Sequence, residues 1–181
     1  FLSGIIGSQF SPVKSLATLP MALSIVGIAI FAIFAAKVMS IIGRRAGFMF
    51  ASVGSSLSSL LAAYSIVVES FILFNFACFL LGACVAFSHQ YRFAAVETVK
   101  KDMAPKAISI ILLAGIGSAF IGPNVANITK DIIVDHLYAG SYFALAALTL
   151  TSTIFLLFYE DGHKPNRVNK KIKRSYLELI S

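Results

Sequence analysis

Apolar positions in this chain do not recur at the period of a strand or along one stripe of a helix; they come as long runs with no polar face. Between residues 22 and 36 the only polar side chain is Ser24. A helix that lies on a soluble core carries a polar stripe opposite its apolar one, so these runs predict helices surrounded by apolar material on every side. At a rise of 1.5 Å per residue, about 20 such residues cross a hydrocarbon core roughly 30 Å thick. Five runs reach that length: 17–39, 46–68, 71–96, 107–126 and 137–158. Ahead of them 1–10 is apolar but too short to span, and is expected to form the last turns of a further, partial helix. The pattern therefore predicts an all-α membrane protein, with six transmembrane segments bundled over 1–158. The connections are short, which makes successive segments antiparallel neighbours.

Composition agrees with lipid as the solvent. Hydrophobic residues make up 58% of the 181 and charged residues 13%, against roughly 25% charged in soluble domains, and the mean hydropathy is +0.87. The net charge of +7 raises nucleic acid as a partner, but the basic residues sit in short clusters between runs and carry no interleaved aromatic platform, which excludes it. Their distribution instead sets an orientation. Lys37, Arg44, Arg45, Lys100, Lys101, Lys106 and six residues of the tail share one set of alternating ends, whereas the other set holds only Lys14 and Lys130. Basic loops are retained in the cytoplasm, so the connections after segments two, four and six are expected there. The stretch 159–181 then reads as a basic cytoplasmic linker held near anionic lipid. The partners expected are the bilayer and a small-molecule solute.

Chemistry has few places to reside. Three scattered histidines, two cysteines within one apolar run, and no phosphate loop or nucleophile motif argue against metal, hydrolytic or ATP-driven chemistry and predict a non-enzyme without a cofactor. Three places depart from plain lipid-facing helix. The first is the turn ending Gly43-Arg44-Arg45, where glycine permits a tight reversal and two guanidinium groups mark the interface; a simple basic turn and a gating loop both fit. The second is segment four, with His89, Gln90, Tyr91 and Arg92 in or at the edge of an apolar run. Ionisable groups in a membrane cost about 2.5 to 3.5 kcal/mol each on insertion scales, so they are expected to face a cavity or, for Arg92, to reach the headgroups. The third is segment five, where Ala114, Ser118, Gly122 and Ala126 recur every four residues beside Pro123 and Asn127. Small residues at that spacing predict close helix packing, and Pro123 a bend.

These residues resemble the major facilitator superfamily. Gly43-Arg44-Arg45 matches that family's signature loop between helices two and three, and Gly122-Pro123, with Ser118 one turn before, is similar to its Gly-Pro motif on helix five. Three places depart: Ala36, Ser40 and Ile41 stand where the family's loop has a Gly and an Asp-Arg pair, Cys78 falls near its frequent helix-four Arg, and Ala126-Asn127 replaces a Gly pair. The resemblance implies the amino-terminal six-helix half of a twelve-helix bundle and a partner half. It also implies secondary transport by alternating access, with H+ or Na+ as a possible coupling ion, in a bacterial inner membrane. On that reading Gly43, Arg44 and Arg45 gate, His89, Gln90, Tyr91 and Arg92 approach the solute, and Ser118, Gly122, Pro123 and Asn127 form a hinge or seal. A non-transporting membrane receptor, assembly factor or scaffold remains the alternative.

Overall fold

The computed structural model describes residues 2–11, 13–133 and 136–158, so the linker expected over 159–181 lies outside the described residues. The described chain is all-helical. It runs α1 (Leu2–Phe10), α2 (Leu19–Ile42), α3 (Arg44–Val67), α4 (Phe71–Ser88), α5 (Tyr91–Thr98), α6 (Ala104–Thr129) and α7 (Ala139–Leu157), with single 3₁₀ turns at Lys14–Leu16 and Lys101–Met103. Five stretches are long and apolar enough to cross a membrane, with α4 and α5 counted as one. With α1 as a partial sixth segment, the described helices follow the six-segment order expected from the sequence. Because α2 and α4–α5 run the same way and α3 and α6 the other, Gly43, Thr98, Ala104 and Leu157 gather at one end, called here the basic end.

Several boundaries depart from expectation for local reasons. The expected loop over 40–45 shrinks to Gly43 alone: α2 continues to Ile42, and Arg44 and Arg45 form the first turn of α3. Gly43 alone adopts the non-helical conformation that reverses the chain. Segment four is two helices, because the backbone loosens at His89 and Gln90 before α5 begins. Pro123 sits inside α6, which runs on past it to Thr129.

The bundle is held by two contacts of different chemistry. Where α2 crosses α4, glycines face each other. A side chain at Gly82 would strike the carbonyl oxygen of Ser24, and one at Gly27 that of Phe79. Two backbones thus touch without side chains between them, the packing device that works where lipid removes any hydrophobic drive for association. Beside this crossing, Cys78 and Tyr142 are buried in one apolar core with Phe74, and the Tyr142 ring meets Phe74 edge-on at 5.8 Å. The second contact joins α3 to α7 through hydroxyls. Ser52 donates to the Thr149 carbonyl at 2.6 Å and accepts from the Thr153 hydroxyl at 2.9 Å, and Ser56 donates to the Ala146 carbonyl at 3.2 Å. Ser55, Ser58 and Ser59 are buried on the same helix, and Ser59 bonds back to the Ser55 carbonyl. A helix so rich in serine would expose its polar face in water; here the face turns inward, because only other protein groups can satisfy it.

The close packing expected along segment five is found elsewhere. A side chain added at Gly115, Gly117 or Gly122 would meet nothing within 4 Å, and Ala126 is the one buried residue reported on α6 among the described residues. Most of the small-residue face on α6 therefore faces open space in the described chain, whereas the glycines that close a helix pair lie on α2 and α4.

Two predictions follow from these contacts. Gly82→Ala is expected to destabilise by about 1–3 kcal/mol through overpacking, whereas Gly115→Ala is expected to be neutral or to stabilise by up to about 1 kcal/mol through helix propensity; thermal unfolding in detergent, followed by labelling of the free cysteines Cys78 and Cys84, reads both. Ser52→Ala with Ser56→Ala is expected to cost roughly 0.6 kcal/mol for each interhelical bond removed, and an unchanged midpoint would show that the seam contributes packing alone.

Candidate functional site

Gly43 has φ 89° and ψ 158°, a region open in practice only to glycine. Its N–H donates to the Met39 carbonyl at 3.1 Å and its own carbonyl accepts from Gly47 at 3.2 Å, so one residue closes α2 and opens α3. Arg44 and Arg45 then stand in the first turn of α3, where the positive end of the helix dipole opposes a cation. Arg45 resolves this by reaching across the bundle: its guanidinium donates to the carbonyl of Leu157, the last residue of α7. Helix C-termini leave carbonyls unpaired and carry partial negative charge, so the same group that is unfavourable on α3 caps α7. Gly47, one turn on, lies against the Met39 side chain with no room for a Cβ.

The expected segment-four group is divided by its fold. Tyr91 is drawn in and stacks on Phe48 of α3, with centroids 4.3 Å apart and planes at 26°. It packs against a small core of Ala35, Met39, Phe48, Ala51, Phe87 and Ala94, joined by Leu156. His89 and Arg92 are exposed, and Gln90 is half-buried as the N-cap of α5. His89 and Arg92 were expected to share one helical face; the interruption at His89–Gln90 breaks that face. The structure thus brings Tyr91 to the Gly43 turn through Phe48, and brings none of the four residues to either of the clefts described next.

The helix-five residues do line clefts. One, of about 460 Å³, runs between α6, α7 and the start of α1 and is walled by Leu2, Ala114, Gly117, Ser118, Ile121, Gly122, Val125, Ala126, Ser141, Leu145 and Leu148. Its two hydroxyls donate inward to the protein, Ser118 to the Gly115 carbonyl at 2.7 Å and Ser141 to the Ala126 carbonyl at 2.6 Å. The cleft therefore offers apolar surface and oxygen lone pairs, without a charge. The second, of about 310 Å³, is more polar and is lined by Leu2, Ile5, Pro123, Asn124, Ala126, Asn127 and Tyr138. Both volumes fall within the roughly 300–1,000 Å³ of small-molecule sites. Tyr138 there has φ 69°, an uncommon conformation for a bulky residue, stabilised by its N–H donating to the Lys130 carbonyl at 3.0 Å.

Sequence reasoning missed Asn75. It is 7% exposed in α4; its amide nitrogen donates to the Phe71 carbonyl at 2.8 Å, while Oδ1 finds no partner among the described residues. Position 75 within an apolar run was the available signal, an intramembrane amide of the kind usually kept for hydrogen bonding between helices. The Gly27–Gly82 crossing and the Ser52–Thr153 seam were also missed, because a small residue in sequence does not say which helix it will face.

Comparison with known proteins accords with this architecture. The chain is 32% identical, over 171 residues covering 93% of its length, to the riboflavin transporter RfnT of Brucella anthropi. That alignment covers 43% of the relative, so the chain spans less than half the length of the curated relative it matches. No solved structure matches it. Residues 1–180 match the model of the Major Facilitator Superfamily. A multi-pass helical membrane chain, turning at Gly43-Arg44-Arg45 and carrying Gly122-Pro123 on its fifth segment, this protein belongs to the major facilitator superfamily.

Proposed function

We propose that this chain is the solute-handling six-helix half of a secondary transporter for riboflavin or a solute of its type, working by alternating access against a second half. The observation that carries the proposal is the identity with a riboflavin transporter along 93% of the chain. The clefts on α6 support it. A flat, largely uncharged ring system suits a wall of Gly117, Gly122, Ile121 and Leu145 that presents no charge, and a polyhydroxylated substituent suits the neighbouring amides of Asn124 and Asn127 and the Tyr138 hydroxyl. Asn124 already donates to the Phe120 carbonyl at 2.8 Å, which leaves its oxygen to accept from a ligand hydroxyl.

In this proposal Gly43, Arg44 and Arg45 act at the gate through geometry. Rigid-body rocking needs helices that move as a unit, and the Arg45 cap on Leu157, the Phe48–Tyr91 stack and the Ser52–Thr153 seam tie α3, α5 and α7 together at the basic end. Tyr91 thus serves the gate side, while Ser118, Gly122, Pro123 and Asn127 serve the solute side or its seal. The basic end is assigned to the cytoplasm on the distribution of Lys and Arg, in a bacterial inner membrane. Bias between the two orientations would come from a coupling gradient of H+ or Na+ and from unequal binding of solute to the two states. This half contains no ATP-binding motif.

The test is uptake of radiolabelled riboflavin by a riboflavin-requiring bacterium that expresses the full-length protein. Uptake above the empty-vector control is expected, competed by unlabelled riboflavin; if accumulation equals the control under imposed gradients of both H+ and Na+, the proposal fails. Gly122→Leu, which fills the apolar cleft, is expected to lower uptake at least tenfold with normal abundance in the membrane. Gly43→Val forces a side chain into a glycine-only conformation at a cost of about 1–3 kcal/mol, and is expected to lower both thermal stability and the maximal rate.

A further inference from the structure

The break at His89–Gln90 leaves α5 and the turn after it without a role in the clefts, and their position in depth suggests one. Counted from Phe71, about 20 residues exhaust a hydrocarbon core roughly 30 Å thick, and the count ends at Gln90. Counted back from Thr129, α6 leaves the core near Ile110 by the same rise. Residues from Tyr91 to Ser109 therefore lie at headgroup depth, beside the Gly43 turn to which Tyr91 is stacked.

This stretch has two sides. Tyr91 and Ala94 pack inward on Phe48, Met39 and Phe87. Outward it presents Arg92, Lys100 and Lys106, interleaved with Phe93, which is 60% exposed, and with Val99 and Met103. Over 91–106 the acidic residues are Glu97 and Asp102, against Arg92, Lys100, Lys101 and Lys106, so the stretch is net positive. An exposed aromatic beside basic side chains at the boundary is a combination suited to lipid: the ring beds among acyl chains and glycerol while guanidinium and ammonium groups meet phosphate. A soluble acidic partner would need only the charges, and would leave Phe93 and Met103 without a reason to face outward.

We infer that α5 and the Lys101–Met103 turn form a docking surface for the headgroup of an anionic phospholipid, with Arg92 and Lys100 as phosphate contacts and Phe93 and Met103 as the apolar seat. Arg92 on this reading is a lipid ligand, outside the solute path. Because Tyr91 on the inner side of the same helix stacks on Phe48, four residues into α3, a lipid bound outside would brace α5 against the gate turn.

The chain has no tryptophan, so Phe93→Trp installs a sole indole at the proposed surface. Ile33→Trp, at a 78% exposed position in the body of α2, provides a lipid-facing control. Each variant of the full-length protein, with any tryptophans outside this stretch replaced by phenylalanine, is reconstituted with phosphatidylcholine. Quenching is then titrated with brominated phosphatidylglycerol and with brominated phosphatidylcholine. The expected result is preferential quenching by phosphatidylglycerol at position 93 and equal quenching at position 33. That preference should weaken in high salt and fall roughly fivefold on either Arg92→Gln or Lys100→Gln, in line with the usual contribution of one basic residue at an anionic surface. Equal quenching by the two lipids at position 93 would overturn the inference, as would the same preference at position 33 or a preference that neither substitution reduces. Circular dichroism of each variant, matching the parent, certifies that the reading comes from a folded bundle.

Discussion

Inside a bilayer no water competes for the backbone, so every N–H and C=O must be satisfied by the chain itself. Helices meet that demand internally, but having done so they gain nothing from burying apolar side chains against each other instead of against lipid. What joins them must be contact so close that lipid cannot match it, or a hydrogen bond that lipid cannot offer. The present bundle uses one of each: bare backbone against bare backbone where Gly27 and Gly82 cross, and hydroxyl to carbonyl where Ser52 and Ser56 meet α7. The remaining architecture is arranged around these two contacts.

Their placement divides the molecule by stiffness. α2, α3, α4 and α7 are locked by the glycine crossing, the serine seam and the core that Phe74, Cys78 and Tyr142 share. α6 stands against this block with open glycines and a largely exposed surface, and both clefts lie along it. The transporter half proposed above would need this combination, since a body that rocks must hold its shape while a surface for solute stays accessible. The Gly-Pro pair belongs to the open helix, and the Gly-Arg-Arg turn belongs to the locked block.

The basic end shows how one charge can serve two helices. Arg45 opposes the dipole of its own helix and is stabilised by the opposite pole of α7, so the start of α3 and the end of α7 are joined by a bond that neither would form alone. Phe48 adds α5 to the same assembly through Tyr91. Ala36, Ser40 and Ile41 depart from the family's loop, and one contact of Arg45 here is the neutral carbonyl of Leu157.

The five apolar stretches long enough to cross a membrane, and the chain reversal at Gly43, were legible in the sequence, because hydrocarbon thickness acts on each segment separately. The same holds for the motif positions Gly122 and Pro123. Pairing was not legible. Ala114, Ser118 and Gly122 have the spacing of a packing face and are exposed, whereas Gly27 and Gly82, 55 positions apart, have no spacing to notice and bring two helix backbones into contact. His89 and Arg92 looked like one polar face until a two-residue interruption separated them, and the serines of α3 form a seam only where α7 covers them. Local propensity and transfer free energy belong to a segment, but which face meets which neighbour depends on the mutual fit of two helices, and only the tertiary structure contains that.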